Sequence, residues 1–470
     1  MAVAVALTMA MALTAPLLSA QPLLNRAANT SSQAAPKTSS QARKAAARGA
    51  ISTHERFHVK SPKPAAHGAV MQAKVEPQPM APADNNSRSD NAPGAAVDPA
   101  TLPTVSLITC GPGMSNYLLE GHSALRLRYP SGVDMAVNWG LFDFTTPNFA
   151  YRFIKGETDY MAGADSYERF VASYRASGRY VKEQVLNLTD AEKARLVALI
   201  EENLRPENRT YRYNYVVDNC ATRPLAMIER ALEADSCALA FDIEPQPTTW
   251  RREMRQYHSQ YPAYQLFIDL VLGSGLDREI SLRERAFAPI FLNTLVGKAR
   301  VVDPSGNSRP LVVGDSVVSP QTINPIEEGP SPWLIVVLLT ALSVWVTVVD
   351  LRRGRVSRWF DALFYGLFGL VGLLLTFLIF VSTHEATSPN FNYLWLNPLA
   401  LIVPALILFK RAKKVVFYYQ ILNFVAVVAF VIAYPLLTQV GNWMFVPLIA
   451  GDLLLSGRYI YLNREFLSRK

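Results

Sequence analysis

The sequence predicts an α+β domain followed by an all-α, multi-span membrane domain. Three observations carry this reading. Strand-like and helix-like apolar periods alternate through the middle of the chain. Long apolar runs dominate from Trp333 onward. Lys and Arg gather in alternate short loops between those runs. The 470 residues are 50% apolar with a formal net charge of +8. Because much of the positive charge lies in membrane-flanking loops, no nucleic-acid partner is expected.

Residues 1–20 carry an apolar stretch ending in Leu18-Ser19-Ala20, the pattern of a signal segment, although no Lys or Arg precedes it. Residues 21–102 are rich in Ala, Pro and Ser and read as a disordered linker, too polar to offset the entropy of ordering. His54, His58 and His67 fall within it and read as solvated tail residues. The three cysteines, Cys110, Cys220 and Cys237, have no zinc-ligand spacing, and no metal or cofactor is expected.

Residues 103–275 read as the functional domain and 276–330 as an extension with a juxtamembrane hairpin. Val105 to Thr109 forms a β-branched run stopped by Gly111-Pro112-Gly113. Leu125, Leu127 and Tyr129 alternate with Arg126 and Arg128, which places His122 on the polar side of that strand. A Ser131-Gly132 turn leads to a second alternating run through Trp139, with Asn138 on the face of His122. Val181 to Leu188 predicts another strand, and Thr189-Asp190-Ala191-Glu192 a capping box for a helix ending near Pro206. Tyr211, Tyr213, Tyr215 and Val217 alternate as a strand leading into Asp218-Asn219-Cys220. Helical spacing follows from Leu225, so Asn219 is an N-cap candidate and Cys220 sits near a helix start. Further on, a helix is expected from Leu282 to Val296 and a hairpin at Ser305-Gly306-Asn307.

Residues 331–462 predict five spans, at about 332–351, 359–382, 393–410, 414–437 and 442–460, before a tail at 463–470. Each approaches the ~20 residues a helix needs to cross a bilayer. Arginines and lysines mark the first and third loops and the tail, so these are expected in the cytoplasm and the 103–325 region outside.

A thiolate is the useful form of a cysteine nucleophile, and a helix start beside an imidazole favours it. Cys220 can have both, and Asp218, Asn219, Thr222 and Arg223 give it polar company that a packing cysteine does not need. His122 is the candidate base, with Asn138 or Asp143 to fix its tautomer. Cys110 reads as structural and Cys237 as inert. Residues 382–398 include His384 and Asn392 among many hydrogen-bonding groups, and read either as an interfacial loop or as part of a substrate mouth.

Leu107-Ile108-Thr109-Cys110-Gly111-Pro112-Gly113, Gly121-His122-Ser123-Ala124-Leu125-Arg126, Asn138-Trp139-Gly140-Leu141-Phe142-Asp143-Phe144, Tyr211-Arg212-Tyr213-Asn214 and Asp218-Asn219-Cys220-Ala221-Thr222-Arg223-Pro224 together resemble the Lnb-type lipoprotein N-acyltransferase family. The 382–398 loop is similar too. The resemblance implies a permuted papain-like extracytoplasmic domain, with Cys220 as acyl-accepting nucleophile and His122 as base. It further implies a bacterial cytoplasmic (inner) membrane enzyme that moves an acyl chain from the glyceryl lipid of a lipoprotein to its N-terminal amine. The expected partner is a diacylated lipoprotein or a membrane phospholipid. Two alternatives stand beside it: a membrane-anchored cysteine peptidase or amidase acting on cell-wall peptide, and a non-catalytic membrane scaffold.

Overall fold

The computed structural model describes residues 98–142, 147–327 and 331–468, all within a single packed unit. The candidate signal segment, the linker as far as residue 97 with its three histidines, and Asp143 lie outside the described residues. The first part is a mixed α+β domain. In chain order it comprises β1 (Thr104–Cys110), β2 (His122–Arg128), β3 (Asp134–Leu141), α1 (Phe149–Lys155), β4 (Asp159–Ser166), α2 (Tyr167–Ala176), β5 (Val181–Leu186), α3 (Asp190–Leu204), β6 (Thr210–Arg212) and α4 (Thr222–Glu233). β7 (Ala238–Phe241), α5 (Trp250–Tyr257), α6 (Pro262–Val271), α7 (Leu282–Arg285), α8 (Pro289–Gly297), β8 (Ala299–Val302), β9 (Ser308–Pro310) and β10 (Val312–Ser319) follow.

Seven strands form an antiparallel sheet in the order β10-β5-β1-β2-β3-β4-β6. Alternation along β2 sends Leu125 and Leu127 to one face, where they join Leu107, Val137 and Trp139 beneath α3, α4 and α8. His122 and Arg126 take the other face, covered by α2. There Arg126 binds Asp134 and Glu183 and lies 3.7 Å from the Tyr167 ring centre, while Tyr174 stacks on His122 at 6.2 Å. A buried charge is tolerable here because every guanidinium edge has a carboxylate or a ring opposite it.

Several expectations are met. The β2–β3 hairpin turns at Gly132, and the Thr189–Glu192 capping box starts α3. Others are corrected. The tyrosine alternation stops after β6, because the Asn214 side chain accepts the backbone N–H groups of Val216 and Val217 and folds 213–218 into a tight turn. The helix expected from Leu282 to Val296 breaks into α7 and α8, since Pro289 lacks the N–H needed to continue it. Val312–Ser319, which no sequence pattern marks as a strand, forms an edge of the main sheet.

The second part contains α9 (Pro332–Arg353), α10 (Arg358–Phe380), the short α11 (Ile402–Leu406), α12 (Lys413–Ala433) and α13 (Phe445–Leu462). α9, α10 and α13, and the run Lys410–Leu436 that contains α12, are long and apolar enough to cross a membrane. They leave Leu334, Trp345, Leu363 and Leu422 exposed, as lipid-facing sides do. The third expected span is not one continuous helix. Asn397-Pro398 and Pro404 divide it into short pieces, and its Asn397–Pro398 backbone lies against Gly372 of α10, where a Cβ would come within 2.3 Å of Asn397. Inside the bundle Arg458 is held between Asp350 and Asp361, and Asn423 bonds Asp452 and Ser456.

Two joints fasten the α+β domain to the helices. Asp269, fully buried, accepts from Arg251, Arg255 and Asn442, and its carbonyl accepts from Asn392. At the other joint Ser382 and Thr383 donate to the carbonyls of Ile154, Lys155 and Gly156.

Candidate active site

The site begins with a turn only glycine can make. Gly121 has φ +85°, and a Cβ there would stand 2.4 Å from the Cys110 carbonyl oxygen. His122 therefore enters β2 directly opposite Cys110. Its Nε2 lies 3.1 Å from Asn138 Oδ1, so Nε2–H donates and Nδ1 is left with the lone pair. The β2–β3 ladder ends at the Ala124–Asn138 pair, which leaves His122 and Ser123 without a partner on β3.

Cys220 approaches from the start of α4. Asn219 Oδ1 accepts the N–H groups of Ala221 and Thr222 at 2.8 and 3.0 Å, and its amide nitrogen donates to the carbonyls of Tyr215 and Phe287. Asp218 and Arg223 form a two-pronged ion pair, with Arg223 3.3 Å from the Tyr211 ring centre. These three residues build the turn that presents the thiol. The contacts they make are with the turn and its neighbours, not with His122.

The Cys220 sulfur is half-buried and receives the Ser123 backbone N–H, its own N–H and the Tyr213 hydroxyl. Burial pushes its pKa up to about 11; the Ser123 N–H and Tyr213 pull it down, and the nearby Glu120 charge pushes it further up. Burial lowers His122 to about 4, opposed by the Asn138 bond and aided by the Arg179 guanidinium. The resting pair is thus a neutral thiol and a neutral imidazole. Cys110 is deeper still, fully buried and raised by burial to about 12. All three cysteines are free thiols.

Residues outside the expected site lie near it. Glu120 accepts from the Tyr215 hydroxyl and lies 2.7 Å from His258, which is fully buried. Arg179, also buried, donates to the Gly111 carbonyl and packs 4.6 Å from the Tyr174 ring centre. Glu120 could have been noticed from its place beside Gly121-His122; His258, beside Tyr257 and Tyr261, reads from the sequence as a surface or packing residue, and Arg179 had no local signal. Of the remaining expected residues, His384 bonds the Phe153 carbonyl at 2.7 Å and Asn392 is buried against α6. Both belong to the joints and not to the Cys220 turn.

A cysteine in the turn before α4 that receives the Ser123 N–H of β2, next to a histidine bonded to an asparagine of β3, in a domain fastened to apolar helices, defines a membrane-anchored protein with a candidate thiol site. Residues 89–256 match the Lnb N-terminal periplasmic domain and residues 325–465 the Lnb transmembrane domain. The chain belongs to the Lnb-type family. Neither a curated protein nor a solved structure matches it.

Proposed function

We propose that the protein is a thiol-dependent acyltransferase that carries an acyl chain from the glyceryl lipid of a bacterial lipoprotein, or from a membrane phospholipid, to the lipoprotein's N-terminal amine. The observation that carries this reading is the Cys220 sulfur, which receives the backbone N–H of Ser123, the residue next to the Asn138-bonded His122, in a domain fastened to apolar helices.

In the first half-reaction His122 Nδ1 takes the thiol proton as sulfur attacks the ester carbonyl. The carbonyl oxygen becomes an oxyanion, for which the N–H groups of Ser123 and Cys220, now bonded to the sulfur, are the candidate donors. Collapse breaks the ester C–O bond, the glyceryl oxygen takes the proton from His122, and a thioester remains. In the second half the amine attacks that thioester, His122 accepts an amine proton, and the departing Cys220 sulfur receives it. An amide forms and the thiol is restored. Asn138 holds the tautomer that both halves require.

The membrane arrangement supports the reading. Asn390 and Gln439 bond each other, so the loops after α10 and α12 lie at one end of the bundle, the end carrying the α+β domain. On this reading the stretch between α10 and α12 runs the length of the bundle as a fifth crossing beside the four long apolar helices. Neither end loop holds Lys or Arg. By charge asymmetry the site lies outside a bacterial cytoplasmic membrane and the C-terminus within the cytoplasm. Mass spectrometry of lipoprotein N-termini from cells expressing the wild type, Cys220→Ser or His122→Ala tests the proposal. Amine acylation should vanish with Cys220→Ser and fall sharply with His122→Ala; acylation unchanged in both defeats it.

A further inference from the structure

Tyr213, whose hydroxyl reaches the Cys220 sulfur, is the first of a series of touching rings. It stacks on Tyr160 at 4.3 Å, Tyr160 meets Phe142 at 4.9 Å, Phe142 meets Phe149 at 5.7 Å, and Phe149 meets Phe153 at 6.0 Å. The last ring touches His384, and on the same short helix Tyr151 meets Phe377 of α10 at 6.0 Å. The series therefore starts at the thiol and ends where the domain meets the apolar helices. Tyr160 is nearly buried, Tyr213, Phe142 and Phe149 are half-buried, and Phe153 and Tyr151 are 48% and 53% exposed.

We propose that this aromatic row seats the acyl chain of the membrane lipid ester and guides it from the bilayer surface to Cys220. The inference rests on the acyltransferase reading and adds to it the place of the chain. Large rings offer apolar area at low entropic cost and tolerate a half-wet position, as a surface that is filled only when lipid arrives requires. An acyl chain is the occupant because one end of the row abuts a membrane-spanning helix and the other a nucleophile that needs a carbonyl. The row extends well beyond the reach of a short chain, so it discriminates by length. Carbons past the first few contact Phe142, Phe149 and Phe153, and a hexanoyl chain gives up most of those contacts.

The test uses the full-length protein in detergent micelles with two synthetic diacylglyceryl lipopeptides, one palmitoyl and one hexanoyl, reading acyl transfer to the peptide amine. The quantity of interest is the ratio of kcat/KM for palmitoyl over hexanoyl. Phe149→Ala and Phe153→Ala should each lower that ratio by roughly fourfold, since a methylene loses its buried surface at each missing ring. Phe149→Leu should retain most of it. Phe153 is half-exposed, so its replacement reads the row without depending on core packing. A ratio unchanged in both Ala variants overturns the inference, whether the two rates fall together, as loss of a mere membrane foothold would cause, or stay as they were. Wild-type protein that transfers neither chain would instead end the acyltransferase reading, and this inference with it.

Discussion

At the scale of single residues, the proposed site rests on two groups that burial keeps uncharged. With His122 lowered to about 4 and Cys220 raised to about 11, the thiolate forms as proton transfer and attack proceed together, not in advance. Iodoacetamide should therefore alkylate Cys220 slowly at pH 7 and faster as pH rises past 9. A rate already at its plateau near pH 6 would mean a preformed ion pair. His122 also couples stability to pH. Its folded value lies below the ordinary 6.5, so the unfolded chain binds the extra proton between the two. This contribution is complete above about 6.5 and is lost as pH falls towards about 4; urea titrations across that window should show a steeper loss for wild type than for His122→Gln. Gly121→Ala should destabilise the fold by more than about 1 kcal/mol, because it strains the turn and meets the Cys110 carbonyl. Equal urea midpoints would contradict that. The His122–Asn138 pair could be read from sequence because strand parity is a local rule, and the turn glycine stood beside it. Glu120 with His258, and Arg179 with Gly111, were not legible, since each contact joins residues far apart in the chain.

Among the elements, those with a local cause were legible and those created by packing were not. The capping box, the hairpin and the Asn219 turn each reside in a few consecutive residues, although the N-cap of α4 is Ala221 and not the expected Asn219. The interruption of the third span at Asn397-Pro398 and Pro404 is legible in the sequence, but not that Asn397 and Pro398 bend it against a glycine surface of α10. β10 carries four valines but no period-two alternation; it covers the edge that β5 would otherwise leave unpaired. The joint at Asp269 was likewise invisible, as its partners come from α5 and from a loop beyond α12. Asp269→Ala should cost roughly 3–5 kcal/mol by leaving Arg251 buried with one carboxylate fewer, whereas Asn442→Ala should cost about 1 kcal/mol. Urea unfolding of the detergent-solubilised protein separates the two, and equal losses would argue against the joint as drawn.

For the whole molecule, the fold explains why one chain carries both a thiol site and an apolar bundle. The two joints fix the α+β domain to loops on one end of the bundle, so the site cannot drift from the bilayer surface by more than the joints allow. A topology test follows. In a cysteine-scanning background, Val440→Cys should react with a membrane-impermeant maleimide in intact cells, and Arg355→Cys only after permeabilisation. The reverse pattern would put the domain on the wrong side for a lipoprotein substrate.

The central claim is that Cys220 becomes acylated during turnover. Intact-protein mass spectrometry after incubation with a diacylglyceryl lipopeptide lacking a free amine measures it most directly. The account predicts the mass of one acyl chain on the wild type, removable by hydroxylamine, and none on Cys220→Ala. A wild type that stays unmodified, or a Cys220→Ala protein that still transfers acyl groups to a free-amine lipopeptide, would contradict it.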